Sequence, residues 1–206
     1  MKTFESLDQE KRQRILNAAM QEFAEKGFAQ ASTNEIVKQA KIGKGMLFYY
    51  FKNKQTLYDY VVDYALKIVD EQFVQKIDMD NRDFIDRMHD LAKKKLACYH
   101  AHPHVFTFLA SVFLNEMTLL KEDLHKRILT LQQRVQGRLY DNIDLTLFRE
   151  DIDVEKALQL IQWAIEGYQQ QLIQTFLAES ITKMDLLPYW EEFDEYLAVL
   201  KTSFYA

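Results

Sequence analysis

The sequence predicts an all-α protein, and three observations carry that prediction. Glycine and proline are scarce, five and two among 206 residues, about a quarter of average usage. Sandwiches, barrels and doubly wound sheets need a turn residue every few positions, so this supply excludes them. Apolar residues recur at intervals of three and four along most of the chain, the period of a helix buried on one face. The third observation is a hydrophobic fraction of 48% with 28% charge, which excludes a disordered chain. The length suits one or two domains whose cores need no staples.

The first helix is expected from Ser6 or Asp8, both favourable N-cap residues. Its stripe is Ile15, Leu16, Ala19, Met20, Phe23 and Ala24; Gly27 supplies a left-handed stop and Phe28 folds back. Ser32-Thr33-Asn34-Glu35 reads as a capping box for a second helix with Ile36 and Ala40 on one face. Lys41-Ile42-Gly43 is a turn of the length that joins two crossing helices. A short third helix then sends Leu47 and Phe51 inward, and Asn53 is placed to cap a fourth. Leu57, Val61, Ala65, Ile68, Val69, Phe73 and Ile77 predict that the fourth runs unbroken to about Lys76, roughly 35 Å at ~1.5 Å per residue.

A polar patch from Asp78 to Asp83 marks the next turn, and Ile85, Met88, Leu91, Ala92, Leu96 and Tyr99 outline a fifth helix. Pro103 suits the first turn of a sixth. Leu124, Ile128, Leu131, Val135 and Leu139 define a seventh. The eighth carries Val154, Leu158, Ile161, Ile165, Tyr168, Leu172 and Phe176, with Ala157, Ala164 and Gly167 as small residues on another face. The ninth carries Leu186, Trp190, Phe193, Leu197, Leu200 and Phe204. Adjacent helices with more than one apolar face predict a bundle that continues into a second subunit, a homodimer. Leu172, Phe176, Trp190, Phe193 and Leu197 are the expected interface.

Charge divides the chain. Residues 1–54 hold ten Lys/Arg against six Asp/Glu, and residues 55–206 hold sixteen against twenty-five. A basic head on an acidic body points to a polyanion met by the head alone. Cys98 is a lone cysteine, which excludes an internal disulfide framework and a four-cysteine zinc site. With no basic-then-apolar leader and no apolar run near ~20 residues, the expected location is the cytoplasm, with no membrane partner.

Function becomes readable between Ser32 and Leu57, where two short helices flank a tight turn, the pattern of a helix-turn-helix. The second helix concentrates Lys44, Gly45, Met46, Phe48, Tyr49 and Tyr50, with Lys52 and Lys54 after it. Spacing gives the inside to Ile36, Ala40, Leu47 and Phe51, so the three consecutive aromatics cannot all be buried. Exposed aromatics beside lysines and a close-approach glycine match sugar-phosphate and thymine methyls.

Over residues 11–58, the runs ILNAAMQEFAEKGF, EIVKQA, KGMLFYYF and KNKQTL resemble the TetR/AcrR family of bacterial transcriptional regulators. The resemblance implies an N-terminal three-helix DNA-binding domain, residues 1–53, and a helical effector-binding and dimerisation domain, residues 54–206, about nine helices in all. It implies that Ser32 and Thr33 contact phosphate, that Lys44, Gly45, Met46 and Phe48 face base edges, and that Tyr49, Tyr50 and Lys54 hold phosphates. Four positions depart from the family pattern: Lys41 for the turn glycine, Gly43 for a hydroxyl cap, Phe48 for tyrosine and Tyr50 for histidine. These alter the operator sequence rather than the act of binding. The partners implied are a double-stranded operator and a small effector, and the protein is most often a repressor.

An effector pocket is expected among Met88, Phe106, Phe113, Met117, Trp163 and Tyr168, whose aromatic and thioether lining favours a greasy or amphipathic molecule. Glu116 or Glu166 would partner a cationic one. His100, His102 and His104 lack a companion carboxylate or cysteine, so no metal is expected, and no cofactor. No nucleophile elbow, phosphate-binding glycine loop or redox pair is present, which argues against an enzyme. The alternative reading is a helical adaptor whose basic head binds an acidic protein; steep salt dependence and preference for a two-fold symmetric duplex separate the two.

Overall fold

The computed structural model describes residues 3–178 and 187–206, the side chains of 173–178 excepted. Among the described residues there is no strand, and nine α-helices follow one another: α1 Gln9–Gln30, α2 Thr33–Gln39, α3 Lys44–Tyr50, α4 Lys54–Gln72, α5 Phe84–Ala101, α6 Pro103–Ser111, α7 Glu122–Tyr140, α8 Val154–Ala178 and α9 Leu187–Phe204. The chain packs as two units, one of Met1–Gln75 with Ala97–Arg134, the other of Lys76–Leu96 with Val135–Ala206. Packing therefore does not divide at residue 53: α4 and α6 share a core with the three N-terminal helices.

In the first unit, the Asp8 carboxylate accepts from the Lys11 N–H at 3.1 Å and starts α1. Gly27, at φ +69° and ψ 164°, breaks the helix in a conformation that is nearly glycine-only. The chain turns there and lays Phe28 against Phe23 and Tyr58, with centroids 6.3 and 5.0 Å away. Ile36, Ala40, Leu47 and Phe51 are buried, as their spacing requires. The box expected at Ser32 does not form, since the Ser32 side chain makes no cap bond. Its N–H donates instead to the buried Glu22, 2.9 Å away. Burying α1 brings that carboxylate to the donor that Glu35 would have taken, at the positive end of α2 where an anion is favoured.

Asn53 and Thr56 do form a reciprocal cap for α4, at 2.8 and 3.1 Å. That helix ends at Gln72 rather than near Lys76, and Val74–Lys76 form a 3₁₀ turn. Phe73 and Val74 are both buried. On a continuing helix, consecutive residues diverge by about 100°, so leaving the helix lets both side chains reach the core. Nineteen residues make α4 about 28 Å long. Three ion pairs tie it to α7 and the residue before it: Asp59 to Lys121 at 2.6 Å, Asp63 to Arg127, and Asp70 to Arg134 at 2.7 Å.

Lys41 adopts φ +54° at the turn between α2 and α3, which costs a side-chain-bearing residue ~1–2 kcal/mol. Lys41→Gly removes that cost but gives the unfolded chain freedom worth ~0.5–1 kcal/mol. The net is an expected stabilisation of about 0.5 to 1 kcal/mol. It should register as a higher urea midpoint at unchanged slope; a lower midpoint contradicts it.

In the second unit, Phe84, Ile85 and Met88 of α5 meet Ala157, Ile161 and Ile165 of α8 and Phe193 and Leu197 of α9 in one core. Two of the residues expected at a subunit interface are covered within the chain itself. Phe193 and Leu197 point into this core, and Tyr168 stacks on Phe193 at 5.4 Å. Leu172 and Trp190 are half-buried, Trp190 lying against His89 and under the Lys93 ammonium. The side chain of Phe176, and Leu186 altogether, lie outside the described residues. The apolar face turned to solvent consists instead of Leu160 and Trp163, 61% exposed, on α8, and Leu187, Tyr196 and Val199 on α9.

Candidate nucleic-acid interface

The turn Lys41-Ile42-Gly43 is closed by the Lys41 N–H on Lys38 O at 3.2 Å and the Ile42 N–H on Val37 O at 3.0 Å. It fixes α3 across α2 and leaves one side of α3 outside. Leu47 anchors the inner side, so Lys44, Gly45 and Phe48 lie on the outer one, with Tyr49 51% exposed beside them. The Lys44 ammonium sits 6.0 Å from the Phe48 ring. Lys41 and Lys52 are exposed at either end. Met46 is half-buried. Tyr50 is also half-buried, its ring edge-on to Phe4 at 5.7 Å and to Tyr49 at 5.0 Å.

Gly45 is informative because nothing in the chain requires it. A Cβ built there meets no atom within 4 Å, yet glycine inside a helix costs ~0.5–1 kcal/mol relative to alanine. Space reserved on the outside of a cationic, aromatic helix suits the close approach of another molecule's backbone. Gly43, with equally open surroundings, caps α3 without a hydroxyl.

Ser32 and Thr33 are half-buried at the start of α2. Lys54 makes its contacts within the chain. Its ammonium donates to Ala29 O at 3.0 Å and Ala31 O at 3.1 Å and lies 4.9 Å from the Phe28 ring. The break at Gly27 frees carbonyls at the end of α1, and folding places the first residue of α4 beside them. Lys54 is thus occupied in holding the connector between α1 and α2. Phe4 was not singled out by its sequence position; it is buried against Tyr50, Phe51 and Tyr60. A lone aromatic before the first stripe was its only signal.

The six residues expected to line a pocket are divided between the two units. Met88, Trp163 and Tyr168 belong to the second unit, and Phe106, Phe113 and Met117 to the first. Met88 is core, Phe106 and Met117 pack on the first unit's core, and Phe113 and Trp163 face solvent. Single-residue aromaticity does not say on which side of its helix a residue lies. Glu166 is exposed and accepts from Gln162 at 2.7 Å; Glu116 is buried in the first unit. Among the described residues no three His, Cys, Asp or Glu side chains gather as metal ligands, and no helix is long and apolar enough to cross a membrane.

Residues 15–61 match the family model described as bacterial regulatory proteins, tetR family. The chain is 31% identical over 126 residues to an HTH-type transcriptional regulator of Staphylococcus aureus (strain MRSA252), covering 57% of this chain and 68% of that one. It is 27% identical over 160 residues to the fatty acid metabolism regulator protein of Bacillus subtilis (strain 168), covering 74% and 78%. Among solved structures, a TetR family transcriptional regulator from Chloroflexus aurantiacus superposes with a TM-score of 0.68 at 18% identity, covering 98% of this chain and 97% of that one. The transcriptional regulator FadR from Bacillus subtilis, in complex with stearoyl-CoA, has a TM-score of 0.50 at 21% identity, covering 90% and 96%.

Proposed function

The chain belongs to the TetR family of bacterial regulatory proteins, and from that premise we propose that it is a homodimeric repressor, released from a palindromic operator by a small hydrophobic or amphipathic effector. Residues 1–53 read DNA, and residues 54–206 bind the effector and pair the subunits, a division of labour rather than of packing. The observation that carries the reading is the outer side of α3, where Lys44, Phe48 and Tyr49 surround the unfilled space over Gly45.

Lys44, Gly45, Met46 and Phe48 face base edges, while Ser32, Thr33, Tyr49 and Tyr50 hold phosphates; Lys54 supports them from behind. The solvent-facing stripe of Leu160, Trp163, Tyr196 and Val199 is the surface at which α8 and α9 meet their copies. Pairing there sets two α3 helices about 34–36 Å apart, or a multiple of that. Similarity to a fatty acid metabolism regulator and to FadR solved with stearoyl-CoA supports a long-chain acyl thioester as the first effector to try. The protein works in the cytoplasm and performs no catalysis, a reading supported by similarity to proteins named as regulators.

The test is selection from random duplexes by the full chain, followed by titration of the selected duplex at several salt concentrations. Expected are a two-fold symmetric sequence, a steep loss of affinity with salt, a sedimenting dimer, and release by stearoyl-CoA or a shorter homologue. A chain that selects nothing and sediments as a monomer defeats the reading, and capture of an acidic protein with no preference for any duplex would favour an adaptor.

A further inference from the structure

The stripe of α6 runs Val105, Phe108, Leu109 and Val112 into the core, and its next position is a carboxylate, Glu116, only 6% exposed. Residues Val112–Glu116 form a π-helical turn, a rare feature that occurs most often at functional positions. Glu116 Oε1 accepts the backbone N–H of Phe28, and Oε2 accepts the Tyr58 hydroxyl at 2.6 Å. The same oxygen Oε1 would lie 3.0 Å from a Cβ at Gly27, whose φ is +69°. The break in α1 and this carboxylate are therefore fitted to each other. Five residues on, Lys121 pairs with Asp59, the neighbour of Tyr58, at 2.6 Å. The segment between α6 and α7 thus grips both the end of α1 and the start of α4, the two elements between which α2 and α3 are hung.

The connector receiving this grip is otherwise held by Glu22 on the Ser32 N–H and by Lys54 on Ala29 O and Ala31 O. Of these three side chains, Glu22 lies on α1 and Lys54 opens α4, while Glu116 alone comes from beyond α4. We infer that Glu116 is a positioning residue for operator recognition: from the end of α6 it fixes the connector between α1 and α2, and through it the pose of the helix-turn-helix. The inference rests on the DNA-binding reading above and adds to it a residue outside the head that sets the head's pose.

The full chain is compared with Glu116→Leu, Glu116→Gln and Tyr58→Phe, using the duplex that the wild type selects. Melting temperature and amide exchange over residues 28–39 are read alongside affinity. Glu116→Leu strands the Phe28 N–H and the buried Tyr58 hydroxyl, each at a desolvation cost, so it should melt below the wild type while staying folded at the temperature of the binding assay. There it should bind about tenfold more weakly and exchange faster over residues 28–39. Glu116→Gln keeps an acceptor for Phe28 and offers its amide to the Tyr58 oxygen, so it should stay within about threefold. Should Glu116→Leu not fold, Tyr58→Phe decides: about threefold weaker binding at unchanged melting supports the proposal, and wild-type affinity overturns it. A merely structural role is shown if affinity falls only in step with melting temperature, and that result also overturns the proposal. If the wild type selects no duplex, the functional reading fails and takes this inference with it; if it selects one and Glu116→Leu binds as tightly, the inference alone fails.

Discussion

Replacing Lys44 and Tyr49 together by alanine is expected to weaken binding to the selected duplex by about a hundredfold or more, with little change in melting temperature. Each side chain that meets a base edge or phosphate contributes ~1–3 kcal/mol, so two removed at once exceed what the rest of the interface can offset. The fold has little stake in either. Lys44 touches only the exposed Phe48 ring, at 6.0 Å, and Tyr49 meets Tyr50 edge-on at 5.0 Å. Exposed substitutions of this kind usually stay within about 0.5 kcal/mol. A mobility-shift titration at fixed salt, paired with a melting curve, measures both effects. The logarithmic salt slope should also shrink by about one for each phosphate that the variant no longer neutralises. Undiminished affinity would place the DNA-binding surface elsewhere.

The largest expected effect on stability comes from Arg87→Ala. Arg87 is 1% exposed, and its guanidinium is satisfied by carbonyls rather than by a carboxylate. Nη1 donates to Arg138 O and Leu139 O at 3.1 Å and to Asp141 O at 2.6 Å; Nη2 and Nε reach Asn81 O at 2.5 and 2.8 Å, and Nη2 also reaches Met79 O at 3.4 Å. These are the carbonyls that the C-terminus of α7 and the loop before α5 leave without helical partners, and a cation there also meets the negative end of the helix. Burial lowers the affinity of Arg87 for its proton, and the nearby Asp78 and Asp141 partly restore it; a guanidinium remains charged throughout.

Truncation strands several buried acceptors at ~1–3 kcal/mol each and leaves a hole, so a loss of about 3 to 5 kcal/mol is expected. For a chain of this size that is a drop of roughly 6 to 20 °C in melting temperature. Arg87→Lys should recover only part of it, because a point charge cannot span carbonyls arranged around a planar fork. Urea unfolding of the three proteins tests the ranking, and an alanine variant as stable as the wild type would remove the capping role.

The N-terminal helices were legible because their determinants are close together in sequence. Ile36, Ala40, Leu47 and Phe51 are fixed by spacings of three and four, Gly27 by its backbone freedom, and Asn53 with Thr56 by a cap spanning one turn. Exposure of Phe48 and Tyr49 followed by elimination, once the inner positions had been filled. Half of the Ser32 box was lost for a reason that no local pattern contains: Glu22, ten residues upstream, is brought by the packing of α1 to the Ser32 N–H that Glu35 would have taken.

On its own, then, the amino-acid order determined an all-helical chain, the register of its first four helices and the surface offered to a nucleic acid, since each depends on periodicity or on a turn a few residues long. Only the tertiary structure decided that Lys54 serves α1, that Glu116 holds Phe28 across 88 residues of chain, and that Arg87 closes the end of α7. It also chose which side of α8 and α9 is core. Both helices carry apolar residues on two faces, and periodicity fits Ile161 with Phe193 inward as well as Trp163 with Val199. A stripe states that a face is apolar, while the partner that covers it is selected by packing among elements far apart in the chain.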